Sequence, residues 1–200
     1  MDENAPIIYL TRHCKTQWNL ENRLQGTVDL PLCEEGVTEA LSNVKHLSKL
    51  NITKIITSSE LRAKQTSTIY SEKLGIPVIE VPDIREMDHG IWEGKTFDEL
   101  LNDPKCTYKQ WLEDPTNVAM VNSSESITTA QERIIDAMKL IITTNNNECL
   151  LIVTHKHIKA LVMCTIKDLP LNNFRKFIVE DTLPEIIPKQ EVTKFIERIH

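Results

Sequence analysis

Three apolar stretches of this 200-residue chain run directly into side chains suited to phosphate. Residues 7–11 (IIYLT) lead to Arg12 and His13, residues 54–61 (KIITSSEL) to Arg62, and residues 149–154 (CLLIVT) to His155. Guanidinium groups bind oxyanions bidentately and stay charged, so two of them suit a phosphate dianion. A neutral imidazole among them can attack phosphorus and carry it as a phosphohistidine. A second imidazole can donate hydrogen bonds to the equatorial oxygens as charge moves. The departing alkoxide needs a proton, which asks for a carboxylic acid close by. Neither a P-loop lysine–serine pattern nor an acidic metal-binding cluster offers another way to hold phosphate, so no metal and no cofactor is expected. Each residue alone has a blander use. A strand-end histidine more often completes a hydrogen-bond network, and a helical arginine more often pairs at the surface. The weight lies in their convergence.

That convergence requires the three strands to lie side by side. Helical spacing is present at Val37, Leu41, Val44, Leu47 and Leu50, and again at Leu61, Ile69, Tyr70 and Leu74. Ser58 or Ser59 is the candidate N-cap of the second helix, and Gly75 its stop. A short strand follows at 77–81. Residues 96–125 are polar, Pro-interrupted and expected to be partly helical. An amphipathic helix over 128–143 opens with Thr128 and Gln131 at capping-box spacing. After 149–154 comes an apolar helix through Leu161, Val162 and Ile166, and the tail shows no clear period until a short last strand or helix. Strand–helix alternation of this kind predicts an α/β fold, a three-layer α/β/α sandwich with a mostly parallel central sheet, in one domain over 1–200. In such sheets sites form at the carboxyl ends of strands.

Composition excludes several classes. The net charge is −6 and there is no Lys/Arg run, which argues against nucleic acid as a partner. No stretch approaches the roughly 20 apolar residues of a membrane span. The opening MDENAP is acidic and polar, unlike a signal peptide. Five scattered cysteines without a CxxC pair read as thiols of a reducing cytoplasm. A homodimer is the candidate assembly.

The stretch TRHCKTQWNLENRLQGTVDLPLCEEG resembles the opening signature of the histidine phosphatase superfamily, the phosphoglycerate mutase-like proteins. Four further blocks follow in the family's order: SSELRAKQT, IREMDHGIWEGK, SSES at 123–126 and LLIVTHKH. The resemblance covers roughly residues 7–165. It implies His13 as nucleophile, with Arg12, Arg62, His155 and Asn19 around the phosphate. It implies Glu86 as proton donor to the leaving group, with Asp88 as competitor and Glu93 nearby. Thr16, Gln25, Lys15 and Lys156 are candidate rim residues. His89 is expected to be structural or at the rim, and His46 and His200 to face solvent.

Departures from the family pattern are Cys14 where glycine is usual, Cys33 at a helix-cap position, Ser124, and Lys156–His157 where two glycines are common. Cys14 as a rival nucleophile would want an arginine at residue 20, which is Leu20. The short 94–125 segment favours a phosphatase over a mutase, and the pattern is similar to small phosphatases such as metal-independent phosphoserine phosphatases. The expected substrate is a small phosphorylated metabolite: phosphoserine, a phosphosugar, α-ribazole phosphate or a phosphoglycerate derivative. Lys15, Lys156, His157 and Lys159 are placed to meet an acidic one. The alternatives are a mutase-type phosphotransferase and a noncatalytic phospholigand-binding subunit of the same fold.

Overall fold

The computed structural model describes residues 4–199. Five strands form one sheet in the order β3-β2-β4-β1-β5. They are β1 (Ile7–Arg12), β2 (Lys54–Thr57), β3 (Val78–Glu80), β4 (Cys149–Thr154) and β5 (Glu185–Ile187). The first four run parallel, and β5 pairs antiparallel with β1. The continuous apolar run of β4 is explained by burial on both sides. Leu150 and Ile152 join Ile8, Leu10 and Ile56 in one core, while Leu151 and Val153 join Ile55 in another. Helices α2 (Glu34–Leu47) and α3 (Leu61–Leu74) pack together over the second core. Helices α6 (Ile127–Thr144), α7 (Lys156–Ile166) and α8 (Lys189–Ile199) cover the first. Among the described residues no helix is long and apolar enough to cross a membrane.

Several local expectations need correction. The apolar stripe assigned to the 37–50 helix is only partly its buried face: α2 starts at Glu34, Leu47 is buried and Val44 and Leu50 pack against the core, but Val37 and Leu41 are exposed and Gly36, Ala40 and Asn43 are buried instead. Close approach is the reason. A Cβ on Gly36 would stand 2.0 Å from the Lys15 carbonyl oxygen, so only glycine lets α2 lie against the loop that follows β1. The N-cap of α3 is Glu60 rather than a serine, and Gly75 ends the helix in the left-handed region at φ 67°. The capping box of α6 is Ser126 with Thr129, two residues before the expected pair. Cys33 caps α2 without a side-chain hydrogen bond to the helix, as expected for a residue in place of Ser or Thr. The tail holds both a strand and a helix, β5 and α8.

In the 96–125 segment two short helices, α4 (Phe97–Asn102) and α5 (Tyr108–Glu113), carry an aromatic cluster. Trp111 is fully buried between Trp92, Tyr108, His89, His157 and Phe174. This cluster fixes the segment over the carboxyl end of the sheet.

Candidate active site

Parallel register brings the strand ends level. Arg12 pairs with Thr154, and the His13 amide donates to the Thr154 carbonyl at 2.9 Å. The Ser58 amide donates to the Val153 carbonyl at 3.1 Å. His13, Ser58 and His155 therefore emerge together, and the ring centroids of His13 and His155 lie 5.2 Å apart.

Hydrogen bonds fix the His13 ring. Its Nδ1 is 2.7 Å from the Cys14 carbonyl oxygen. A carbonyl only accepts, so Nδ1 carries the proton and Nε2 keeps its lone pair. Burial, then the positive charge of Arg62 and Arg12, holds its pKa well below the usual histidine value, which keeps the ring neutral. Arg62 Nε donates to His13 Nε2 and to His155 Nδ1, each at 3.2 Å. Its Nη atoms donate to the Val28 and Gly26 carbonyls at 2.9 and 2.8 Å. Three of the five guanidinium protons are thus engaged with protein, leaving two for an oxyanion.

His155 takes the opposite tautomer. Its Nδ1 accepts from Arg62, so Nε2 carries the proton toward Ser58 Oγ at 2.9 Å and Glu60 Oε2 at 3.1 Å. Burial opposes ionisation of Glu60, but His155, Ser58 and Arg62 keep its pKa below the usual value. Sequence reading expected His155 to face phosphate. In the structure it stands behind Arg62 and His13 and is absent from the cavity lining. Its proton points to Glu60.

The cavity above these residues has a volume of about 500 Å³. Arg12, His13, Asn19 and Lys156 line both this chamber and a narrower inner recess, where Arg62, Gln25 and Glu86 join them. Lys15 stands at the outer edge. Thr16, expected at the rim, is buried behind it: its hydroxyl contacts Gln25 Oε1 at 2.9 Å, and it caps α1 (Gln17–Leu20) in a capping box with Asn19. Lys159 is also turned away, buried and paired with Glu185 of β5 at 3.4 Å.

Glu86 lies against the start of α7. Its Oε1 accepts from the Met87 amide at 3.0 Å and its Oε2 from the His157 amide at 3.2 Å. Burial favours the neutral acid, yet the His157 hydrogen bond and the neighbouring imidazoles hold the pKa well below the usual carboxylate range. The raised pKa expected of a resting acid is therefore not found, because the His157 hydrogen bond and the surrounding imidazoles outweigh burial. Asp88 accepts from the Gly90 and Ser124 amides at 2.8 and 2.6 Å, and Glu93 from the Thr27 and His89 amides at 2.8 and 3.0 Å. Both shape loops, and neither lines the cavity. Cys14 is buried and its thiol is pushed up to about 11, chiefly by burial, which removes it as a thiolate nucleophile. His89 is wholly buried, His46 is exposed, and His200 lies outside the described residues.

Sequence reading missed Glu180. It receives Arg12 Nη1 at 2.5 Å and also the Lys156 ammonium. It comes from the aperiodic tail, which is held down where the Thr11 hydroxyl donates to the Thr182 carbonyl at 2.6 Å and Asn43 Nδ2 to Thr182 Oγ1 at 3.1 Å. Nothing periodic marks it. Phe97, Leu101, Tyr108, Leu112 and Ile178 form the cavity's apolar wall, with Arg175 among them, and these were missed too.

A pH effect on stability follows from the two buried histidines at the strand ends. Burial lowers the pKa of His13 and of His155 in the folded chain, while the unfolded chain titrates near 6.5. Above that pH neither state is protonated. As pH falls through 6.5, the unfolded state binds protons the folded state refuses, and stability drops by up to about 1.4 kcal/mol per pH unit for each histidine. Urea unfolding between pH 7.5 and 5.5 should show this fall, flattened in His13→Asn. A stability that rises toward pH 5.5 would contradict it.

A five-stranded mixed sheet flanked by helices matches the histidine phosphatase fold. The chain belongs to the histidine phosphatase superfamily (branch 1), whose family model matches residues 8–191. It is 34% identical over 163 residues to the probable phosphoglycerate mutase GpmB of Cronobacter sakazakii, covering 82% of this chain and 75% of that one. It is 24% identical over 193 residues to phosphoserine phosphatase 1 of Hydrogenobacter thermophilus, covering 96% and 91%. The solved structure of Bacillus stearothermophilus YhfR superposes with a TM-score of 0.77 at 34% identity, over 85% of this chain and 84% of that one.

Proposed function

We propose that this protein is a phosphomonoesterase that hydrolyses a small phosphorylated metabolite through a phosphohistidine on His13, with Glu86 as general acid and base. The observation that carries this reading is the His13 ring. The Cys14 carbonyl holds the proton on Nδ1, so the Nε2 lone pair lies among Arg62, Arg12 and Asn19. Phosphate binding is expected to draw on the two uncommitted Arg62 protons and on Arg12, whose Nε–H is buried without a partner. An incoming phosphate competes with Glu180 for Arg12.

Because Glu86 rests as a carboxylate, the proton for the leaving group arrives with the substrate monoanion and passes to Glu86 beside the dianion. His13 Nε2 attacks phosphorus, the P–O ester bond breaks, and Glu86 returns the proton to the alkoxide as alcohol. Water then attacks the phosphohistidine and gives its proton to Glu86, the P–N bond breaks, and inorganic phosphate leaves. The cationic charge comes from arginine, so no metal is required. The apolar wall suits the organic part of the substrate, and the volume of about 500 Å³ lies within the usual range for small-molecule sites.

A mutase-type phosphotransferase is the second reading, favoured by the name of the Cronobacter relative. Against it stands the short 96–125 segment, built of two six-residue helices. Purified protein assayed against p-nitrophenyl phosphate and a panel of phosphorylated metabolites separates the readings. Phosphate release, undiminished by EDTA, is the expected result. Interconversion of phosphoglycerates without phosphate release supports the mutase, no turnover at all a binding subunit, and activity lost to EDTA and restored by Mg²⁺ would contradict metal independence.

Arg62→Ala is expected to lower kcat/KM on the order of 10²–10³-fold, the usual effect of losing a fixed donor at developing charge. Arg62→Lys should recover only part, because one ammonium cannot serve the Gly26 and Val28 carbonyls and both histidines at once. Equal activity in the Lys variant and the wild type would count against the fork.

A further inference from the structure

Beside the phosphate recess lies a cluster the proposed reaction does not use in full. Glu86, His89 and His157 are all buried, and one donor atom from each lies within 4.8 Å of the other two. His89 Nε2 and His157 Nδ1 are 3.0 Å apart, and His157 Nδ1 is 3.5 Å from Glu86 Oε2. Donors at zinc-bond lengths around a tetrahedron stand about 3.3 Å from one another, between those two separations.

The protons are too few for the acceptors. A neutral imidazole pair can place only one proton in the His89–His157 contact. Glu86 is an anion and brings none. Two acceptors, the unprotonated ring nitrogen and Glu86 Oε2, thus face a single N–H. The opposite nitrogen of His89, Nδ1, is buried with no partner, so Nε2 is the only atom through which that ring is satisfied. Trp111 packs edge-on against both rings, with centroids 5.8 and 6.0 Å away, and holds them in place. Glu86 and His157 reach the cavity, which gives an ion a path in and leaves a fourth position for water.

We propose that Glu86, His89 and His157 form a binding site for a divalent transition-metal ion of the zinc class. Two imidazoles and one carboxylate suit Zn²⁺ and Co²⁺ and disfavour Mg²⁺ and Ca²⁺, which take oxygen ligands. The ion takes the place of the shared proton: the ring that carries it shifts that proton to its opposite nitrogen, and none need be released. An ion held there occupies the carboxylate of Glu86. On the reading of Glu86 as general acid, it is therefore an inhibitor, not a cofactor.

The test is titration of EDTA-treated, dialysed protein with Co²⁺, followed by visible absorption and Trp fluorescence, then displacement with Zn²⁺. One equivalent with intense tetrahedral bands is expected. His89→Ala and His157→Ala should each weaken binding by more than the about 10–100-fold seen when only an outer-shell partner is lost. His157→Asn, a milder change, should lose the bands while keeping the circular dichroism of the fold. His46→Ala, on the exposed face of α2, should bind normally. Bands no stronger than those of the free ion, or bands unchanged in the His89 and His157 variants, overturn the site. Binding lost in His13→Ala but kept in His89→Ala assigns the ion to the phosphate pocket and also overturns it. Stoichiometric Zn²⁺ should also slow alkyl phosphate hydrolysis, reversibly with EDTA. Binding at these ligands with undiminished hydrolysis would leave the site standing and remove Glu86 from the reaction.

Discussion

His13→Ala is expected to abolish measurable turnover, with kcat lowered on the order of 10⁴-fold or more, as for loss of a covalent nucleophile elsewhere. The expectation rests on several features at once. His13 lines the inner recess with its proton held away from it, on Nδ1 by the Cys14 carbonyl. Burial and two arginines keep it neutral, so the attacking form does not have to be generated. The neighbouring thiol cannot replace it, because burial pushes Cys14 up to about 11. The variant should still bind phosphate through Arg12 and Arg62, so inorganic phosphate should protect it against thermal unfolding as it protects the wild type. Loss of activity together with loss of phosphate binding would point to a collapsed site instead.

The second large effect concerns Glu86. An alkoxide is a poor leaving group, whereas p-nitrophenolate departs with little help. Glu86→Gln should slow hydrolysis of alkyl phosphates by roughly 10²–10⁴-fold. It should slow the phosphorylation of His13 by p-nitrophenyl phosphate much less. Glutamine keeps an oxygen for the Met87 and His157 amides, so the local backbone should hold. Because the proposed reaction gives the same carboxylate the proton of the attacking water, the variant should also accumulate phosphoenzyme and release a burst of p-nitrophenol. Equal losses in the phosphorylation step for both kinds of substrate would remove Glu86 from the leaving-group role. Asp88 is a poor replacement, since the Gly90 and Ser124 amides hold its carboxylate outside the cavity lining.

What could be read in the sequence was whatever is encoded locally. The strands at β1, β2 and β4 are apolar runs with polar ends, and Gly75 marks a helix end by its left-handed backbone. The site residues at those strand ends were legible because a parallel sheet sets its strand ends side by side. Harder to see were features that depend on which element lies against which. The buried face of α2 rests on Gly36, Ala40 and Asn43, small or polar residues that a search for apolar periodicity passes over. Glu180 reaches Arg12 only because the tail folds back along β1, across 168 residues of sequence. Glu60 could not be singled out from SSEL, since its role comes from His155, just past the end of β4. The low pKa of Glu86 was also hidden, because it arises from α7, which begins 70 residues later.

The most direct measurement is a rapid quench of the protein with a substrate labelled in its phosphoryl group, followed by peptide mapping. Label should appear on His13, persist in alkali, vanish in acid, and be absent from His13→Ala. An acid-stable phosphoenzyme, or label on any other residue, would contradict the account.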